Sequence, residues 1–203
     1  MSDLFGSKEL LYTRRWAGFG EFLGGGDERW DLTDSDDRAV ATVVETDLTV
    51  LRRAGRFLNN LFPDQQRHRL EIRDSGGHTV FTLVKQPPKL GLEYAEVWMG
   101  DGSPAGTIRL ISPEASDRFG LGFYDPRDER LGEVRNAKTK TSATGSNTFA
   151  VLTADGTEIA EFSGVRTHGG GGPVGYRLHV SQDLSEPLRS MVYASPIVRY
   201  FIR

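Results

Sequence analysis

Arg135, Lys138 and Lys140 lie close together in the stretch VRNAKTKTSATGS, and Lys85 and Lys89 flank Pro87 and Pro88. Cations set among hydroxyl side chains suit one kind of chemistry, holding phosphate oxygens by charge-assisted hydrogen bonds. Beside an anionic lipid surface each such residue contributes about 1 kcal/mol. These five residues are therefore the candidates for contact with lipid headgroups, set against the ordinary alternative of a solvated basic surface.

Other chemistries lack their residues. His68, His78, His168 and His179 show neither the i,i+4 pairing nor the flanking carboxylates of a zinc site. Asp31, Asp34, Asp36 and Asp37 form an acidic cluster without the glycine and distal glutamate of an EF-hand loop, and read as a hairpin turn. The runs Gly24 to Gly26 and Gly169 to Gly172 neither open a helix nor carry the Lys-Ser/Thr pair of a phosphate-binding loop, so they read as connections. No G-x-S-x-G elbow is present. The absence of cysteine excludes disulfides, thiol catalysis and cysteine metal ligands, and fits a reducing compartment. The expectation is a protein that is no enzyme and needs no metal and no cofactor.

Composition narrows the partners further. A chain of 203 residues with 37% hydrophobic and 26% charged residues is ordinary globular material. Its net charge of -3 and pI near 5.8 do not suggest a nucleic-acid binder. Asp3, Lys8, Glu9, Arg14 and Arg15 interrupt the N-terminal stretch before any signal-type apolar core forms, so a cytoplasmic location is expected.

The elements that must position the candidates are mostly strands. Twenty-four glycines and nine prolines imply many tight turns. After a first strand over Glu9 to Trp16, a strand-turn-strand theme repeats five times, with turns at Asp34 to Asp37, Asp74 to Gly77, Gly100 to Gly102, Asp125-Pro126 and Ala154 to Gly156. A last strand over Tyr176 to Val180 brings the total to about 12 strands. Between the first two hairpins, Leu48, Leu51, Ala54, Phe57, Leu58 and Leu61 recur at helical spacing, which predicts an inserted amphipathic helix over 47–62.

The final stretch, EPLRSMVYASPIVRYFIR, is apolar on nearly every side. A helix of that kind must be buried in protein or lipid. It is shorter than the roughly 20 residues of a membrane span and carries Arg199, so burial in protein is expected. Ser185 is placed to cap it and Pro187 suits its start, while Pro196 predicts a kink or a break. A sheet of about 12 antiparallel strands removes its edges by closing, and a barrel so wide needs something inside. The expected fold is therefore all-β: a single domain over 1–203, a closed antiparallel barrel around an apolar C-terminal helix over 186–203.

This arrangement resembles the tubby C-terminal-like barrel of phospholipid scramblases and LURP-one-related proteins. The nearest local likeness is LEIRDSGGHTVFTLV, Leu70 to Val84, repeated at Ala95 to Ile111 and Phe119 to Val134, with RWDLTDSDDRAVATV as the matching entry pattern. The resemblance implies a non-enzymatic, membrane-associated module that binds lipid or phosphoinositide headgroups at the inner face of a membrane. It does not extend to the acidic calcium segment or the cysteine-rich stretch of animal scramblases, since only Asp155 and Glu158 stand where the acidic loop would be. The alternatives are lipid scrambling proper and a soluble protein-interaction scaffold with no lipid role.

Overall fold

The computed structural model describes residues 3–15, 29–46, 67–86, 93–111, 120–137, 148–165 and 175–201. The expected inserted helix over 47–62 and both glycine runs lie outside the described residues. Twelve strands make one closed antiparallel barrel in which each strand pairs with its sequence neighbours and the last pairs with the first. They are β1 (Glu9–Arg15), β2 (Arg29–Thr33), β3 (Ala39–Glu45), β4 (His68–Asp74), β5 (Thr79–Lys85) and β6 (Tyr94–Met99). The second half is β7 (Pro104–Leu110), β8 (Gly120–Tyr124), β9 (Arg130–Asn136), β10 (Thr148–Thr153), β11 (Glu158–Val165) and β12 (Gly175–Val180). Closure sets Tyr12 opposite Tyr176 and Leu10 opposite Leu178.

Five hairpins share one local design. At Asp34, Asp74, Met99, Asp125 and Thr153 the carbonyl accepts from the amide three residues on, while the amide donates to the carbonyl four residues on. The residue three positions on is left-handed in every case: Asp37, Gly77, Gly102, Asp128 and Gly156, with φ between 59° and 89°. A three-residue loop of this kind requires a left-handed residue and leaves a bulge beside it. The strand registers shift at the matching positions, as between Ile72 and Arg73. Aspartates complete the turns. Asp34 Oδ1 accepts from the amides of Asp36 and Arg38, and Asp125 Oδ1 from those of Arg127 and Glu129. The acidic cluster near Asp34 is thus turn chemistry.

The barrel interior is filled by α1 (Leu188–Phe201), in which every residue from Ser190 to Val198 is buried. Met191, Val192, Ala194, Ile197 and Val198 pack among inward side chains that include Ile72, Phe81, Val97, Phe123, Phe149 and Phe162. The N-terminal cap is Glu186 rather than the expected Ser185: its Oε2 accepts from Ser190 Oγ at 2.7 Å and from the Ser190 amide at 3.2 Å. A carboxylate there also faces the positive end of the helix dipole.

The helix runs through Pro196 without breaking. An interior proline leaves the carbonyl four residues back without its amide donor. That carbonyl belongs to Val192, and Ser195 Oγ donates to it at 2.8 Å. The next carbonyl, Tyr193, receives the Tyr12 hydroxyl from β1 at 2.8 Å. Burial, with Tyr193 nearby, pushes the Tyr12 hydroxyl well above the ordinary tyrosine range, so it serves as a neutral donor. Gly106, at φ 139°, lets β7 approach closely: an added Cβ would lie 2.5 Å from Met191 Cε and 2.0 Å from the Tyr124 carbonyl oxygen.

Candidate functional site

Of the five basic candidates the structure describes Arg135 and Lys85, and it separates these two. Arg135 is on β9 with its side chain 62% exposed, and it shares the carboxylate of Glu133 with Arg130. Lys85 is inside the barrel. Strand alternation places it in phase with Phe81 and Leu83, and it is 6% exposed. Its Nζ donates to the Phe201 carbonyl at 2.8 Å and lies 3.9 Å from Glu93 Oε1. Lys85 therefore holds the C-terminal end of α1 and offers no surface charge, which corrects its expected place in a lipid-facing patch. Lys89, Lys138 and Lys140 lie outside the described residues. The strand ends Lys85 and Asn136 are at the same end of the barrel, because β5 and β9 run in the same direction.

Beside Lys85 lies a second polar pair, His68 and Glu45. His68 Nδ1 meets Glu45 Oε1 at 2.8 Å, and the His68 ring lies 5.5 Å from that of Phe201. Both side chains are largely enclosed, 15% and 2% exposed. Buried polar groups need such partners, and here they close the barrel around the end of α1. Among the described residues no group of three or more histidines and carboxylates is placed to hold a metal ion.

The outer wall carries a feature that composition does not reveal. A groove of about 430 Å³ runs over β4, β5 and β6, lined chiefly by Arg67, Arg69, Glu71, Val84, Glu96 and Trp98. The strand register explains its shape. Arg69 stands opposite Val84 and Val84 opposite Glu96, while Glu71 stands opposite Thr82 and Thr82 opposite Trp98. Long side chains on β4 and β6 thus flank short ones on β5, and the two walls are about 10 Å apart, two interstrand spacings.

The groove's cations stand on the β4 side together with Glu71, and Glu96 stands on the β6 side. Glu71 on the β4 side is engaged by Arg73, with Nη2 to Oε2 at 2.7 Å and Nε to Oε2 at 3.2 Å, and lies 3.9 Å from Arg69 Nε. On the β6 side Glu96 has neutral partners: Gln86 Nε2 donates to Oε1 at 3.2 Å and Trp98 Nε1 to Oε2 at 3.3 Å. Trp98 is 36% exposed, the exposed large hydrophobic side chain among the described residues. A tryptophan with one polar edge and an apolar body suits a boundary between water and lipid. The strings RHRLEIR and EYAEVWM carry the groove residues at alternate positions, but only the pairing of β4, β5 and β6 shows that they face each other.

A second hollow of about 280 Å³ opens at the other end of the helix, between Phe5, Lys8, Asp183, Arg189 and Tyr193. Its charges are already matched, Lys8 with Asp183 at 3.3 Å and Arg189 with Glu186 at 2.8 Å. The Tyr193 hydroxyl, pushed up to about 12 by burial, donates to the Ser7 carbonyl at 2.9 Å.

No family model, no curated protein and no solved structure matches this chain. Among the described residues no helix is long and apolar enough to cross a membrane.

Proposed function

We propose that the protein is a non-enzymatic module that binds phospholipid headgroups at a membrane surface, and that the β4–β6 groove is the headgroup seat. The observation that carries the reading is the groove itself, where Arg67 and Arg69 stand beside an exposed Trp98 on an otherwise ordinary barrel wall. Arginine holds phosphate oxygens in a fixed fork, and interfacial tryptophan anchors a protein at headgroup depth. A barrel closed around a buried C-terminal helix is also the architecture that the resemblance to tubby C-terminal-like proteins implies, which supports a peripheral, cytoplasmic-face role. The buried helix argues for docking by the wall rather than insertion of the tail.

Flotation with vesicles of phosphatidylcholine and phosphatidylserine tests this. The protein is expected to float with the vesicles, and Arg67→Gln with Arg69→Gln is expected to reduce the bound fraction severalfold without lowering the thermal midpoint. Absence of flotation at low salt would remove the membrane and leave a soluble scaffold as the reading.

A further inference from the structure

The β4–β6 groove holds equal numbers of formal charges, Arg67 and Arg69 against Glu71 and Glu96, with the cations on the β4 side and Glu96 and Trp98 on the β6 side. We propose that it receives a choline-type zwitterionic headgroup, the phosphate on the Arg67 and Arg69 side and the quaternary ammonium against Trp98 and Glu96. This rests on the reading of the groove as a headgroup seat and names the headgroup.

Three observations select that chemistry. The Glu96 carboxylate on the β6 side disfavours a polyanionic inositol phosphate, whose extra phosphates would lie beside it with no cation of the described residues to offset them. Glu96 has no cationic partner among the described residues, and a ligand that brings its own cation supplies the missing charge. Each Glu96 oxygen already accepts a neutral hydrogen bond, from Gln86 or from Trp98. A quaternary ammonium has no N–H to donate, so it needs only the negative charge and an aromatic face, and both are present. A primary ammonium would have to share each oxygen with the hydrogen bond already there.

The test follows the Trp98 indole N–H by NMR, identified as the resonance lost in Trp98→Phe, during titration with phosphocholine, phosphoethanolamine, inorganic phosphate and tetramethylammonium. Phosphocholine is expected to shift it and to bind at least about fivefold more tightly than the other three, the scale of one cation–π contact. For the variants binding is read by isothermal titration calorimetry, which needs no indole reporter: Trp98→Ala and Glu96→Gln are expected to weaken phosphocholine by about fivefold without weakening inorganic phosphate, and Arg69→Gln to weaken both. Equal binding of phosphoethanolamine or phosphate, or insensitivity to Trp98→Ala, overturns the proposal. Vesicles separate the two readings. If phosphatidylserine vesicles carry the protein and phosphocholine shifts nothing, the headgroup seat stands and the choline assignment falls. If phosphocholine binds but vesicles of pure phosphatidylcholine do not, the choline chemistry stands and the ligand is a free phosphocholine ester instead of a membrane lipid.

Discussion

Ser195 and Tyr12 donate to two neighbouring carbonyls of α1, Val192 and Tyr193, at the turn that contains Pro196. Removing Ser195 Oγ leaves the buried Val192 carbonyl without its donor, and removing the Tyr12 hydroxyl takes a buried hydrogen bond from the Tyr193 carbonyl; each costs about 1–3 kcal/mol. Ser195→Ala and Tyr12→Phe are each expected to lower the denaturant midpoint by an amount in that range, with the slope unchanged. Tyr12 also predicts a pH dependence. Its hydroxyl stays protonated in the folded barrel at pH values where the unfolded chain loses the proton, so above about pH 10 the unfolded state binds fewer protons. Stability is therefore complete below that pH and falls as pH rises toward the folded-state value. Tyr193, raised to about 12, acts in the same direction. Melting curves between pH 9 and 12 should show the decline, and Tyr12→Phe, though less stable at neutral pH, should decline less steeply.

The hairpin is the repeated element, and its two special positions carry different loads. Asp125 accepts from two amides, while Asp128 occupies the left-handed position at φ 69°. Asp125→Ala should destabilise by about 1 kcal/mol, the value of a lost side-chain acceptor in a turn. Asp128→Gly, which relieves a conformation that glycine adopts freely, should change stability by less than about 1 kcal/mol. Thermal unfolding of the two variants checks the contrast, and equal losses would mean that the side chain of Asp128 matters more than its backbone. The carboxylates of Asp101 and Asp155 are held below their usual range first by the side-chain hydroxyls of Ser103 and Thr153, the same turn chemistry in two more hairpins.

For the whole molecule, the barrel and its helix stand or fall together. Twelve strands enclose a space that wall side chains alone do not fill, and α1 supplies the missing volume. A chain ending at Ser185 is expected to lose its cooperative unfolding transition and to bind a hydrophobic dye at room temperature. A sharp transition in that truncated chain would show that the barrel collapses onto itself. Because β1 must find β12 across nearly the full length, closure is a long-range event, and refolding is expected on the slow side for a domain of this size.

Much of this was legible in the sequence because the deciding forces are local and periodic. The Asp and Gly turns, the alternating strands and the all-round apolar tail each follow from backbone stereochemistry and side-chain burial over a few residues, and together they require a closed barrel with a central helix. Contacts across elements were not legible. Lys85 reads as a basic surface residue beside two prolines, yet the inward phase of β5 buries it against the end of α1. The cap at Glu186 rather than Ser185, the hydroxyls that carry the helix through Pro196, and the facing of Arg69 and Glu96 across Val84 all depend on which strand lies beside which. A sequence specifies which residues can form a wall and which must be buried. Only the closed register of the barrel decides which side chains, far apart in the chain, come to share one groove.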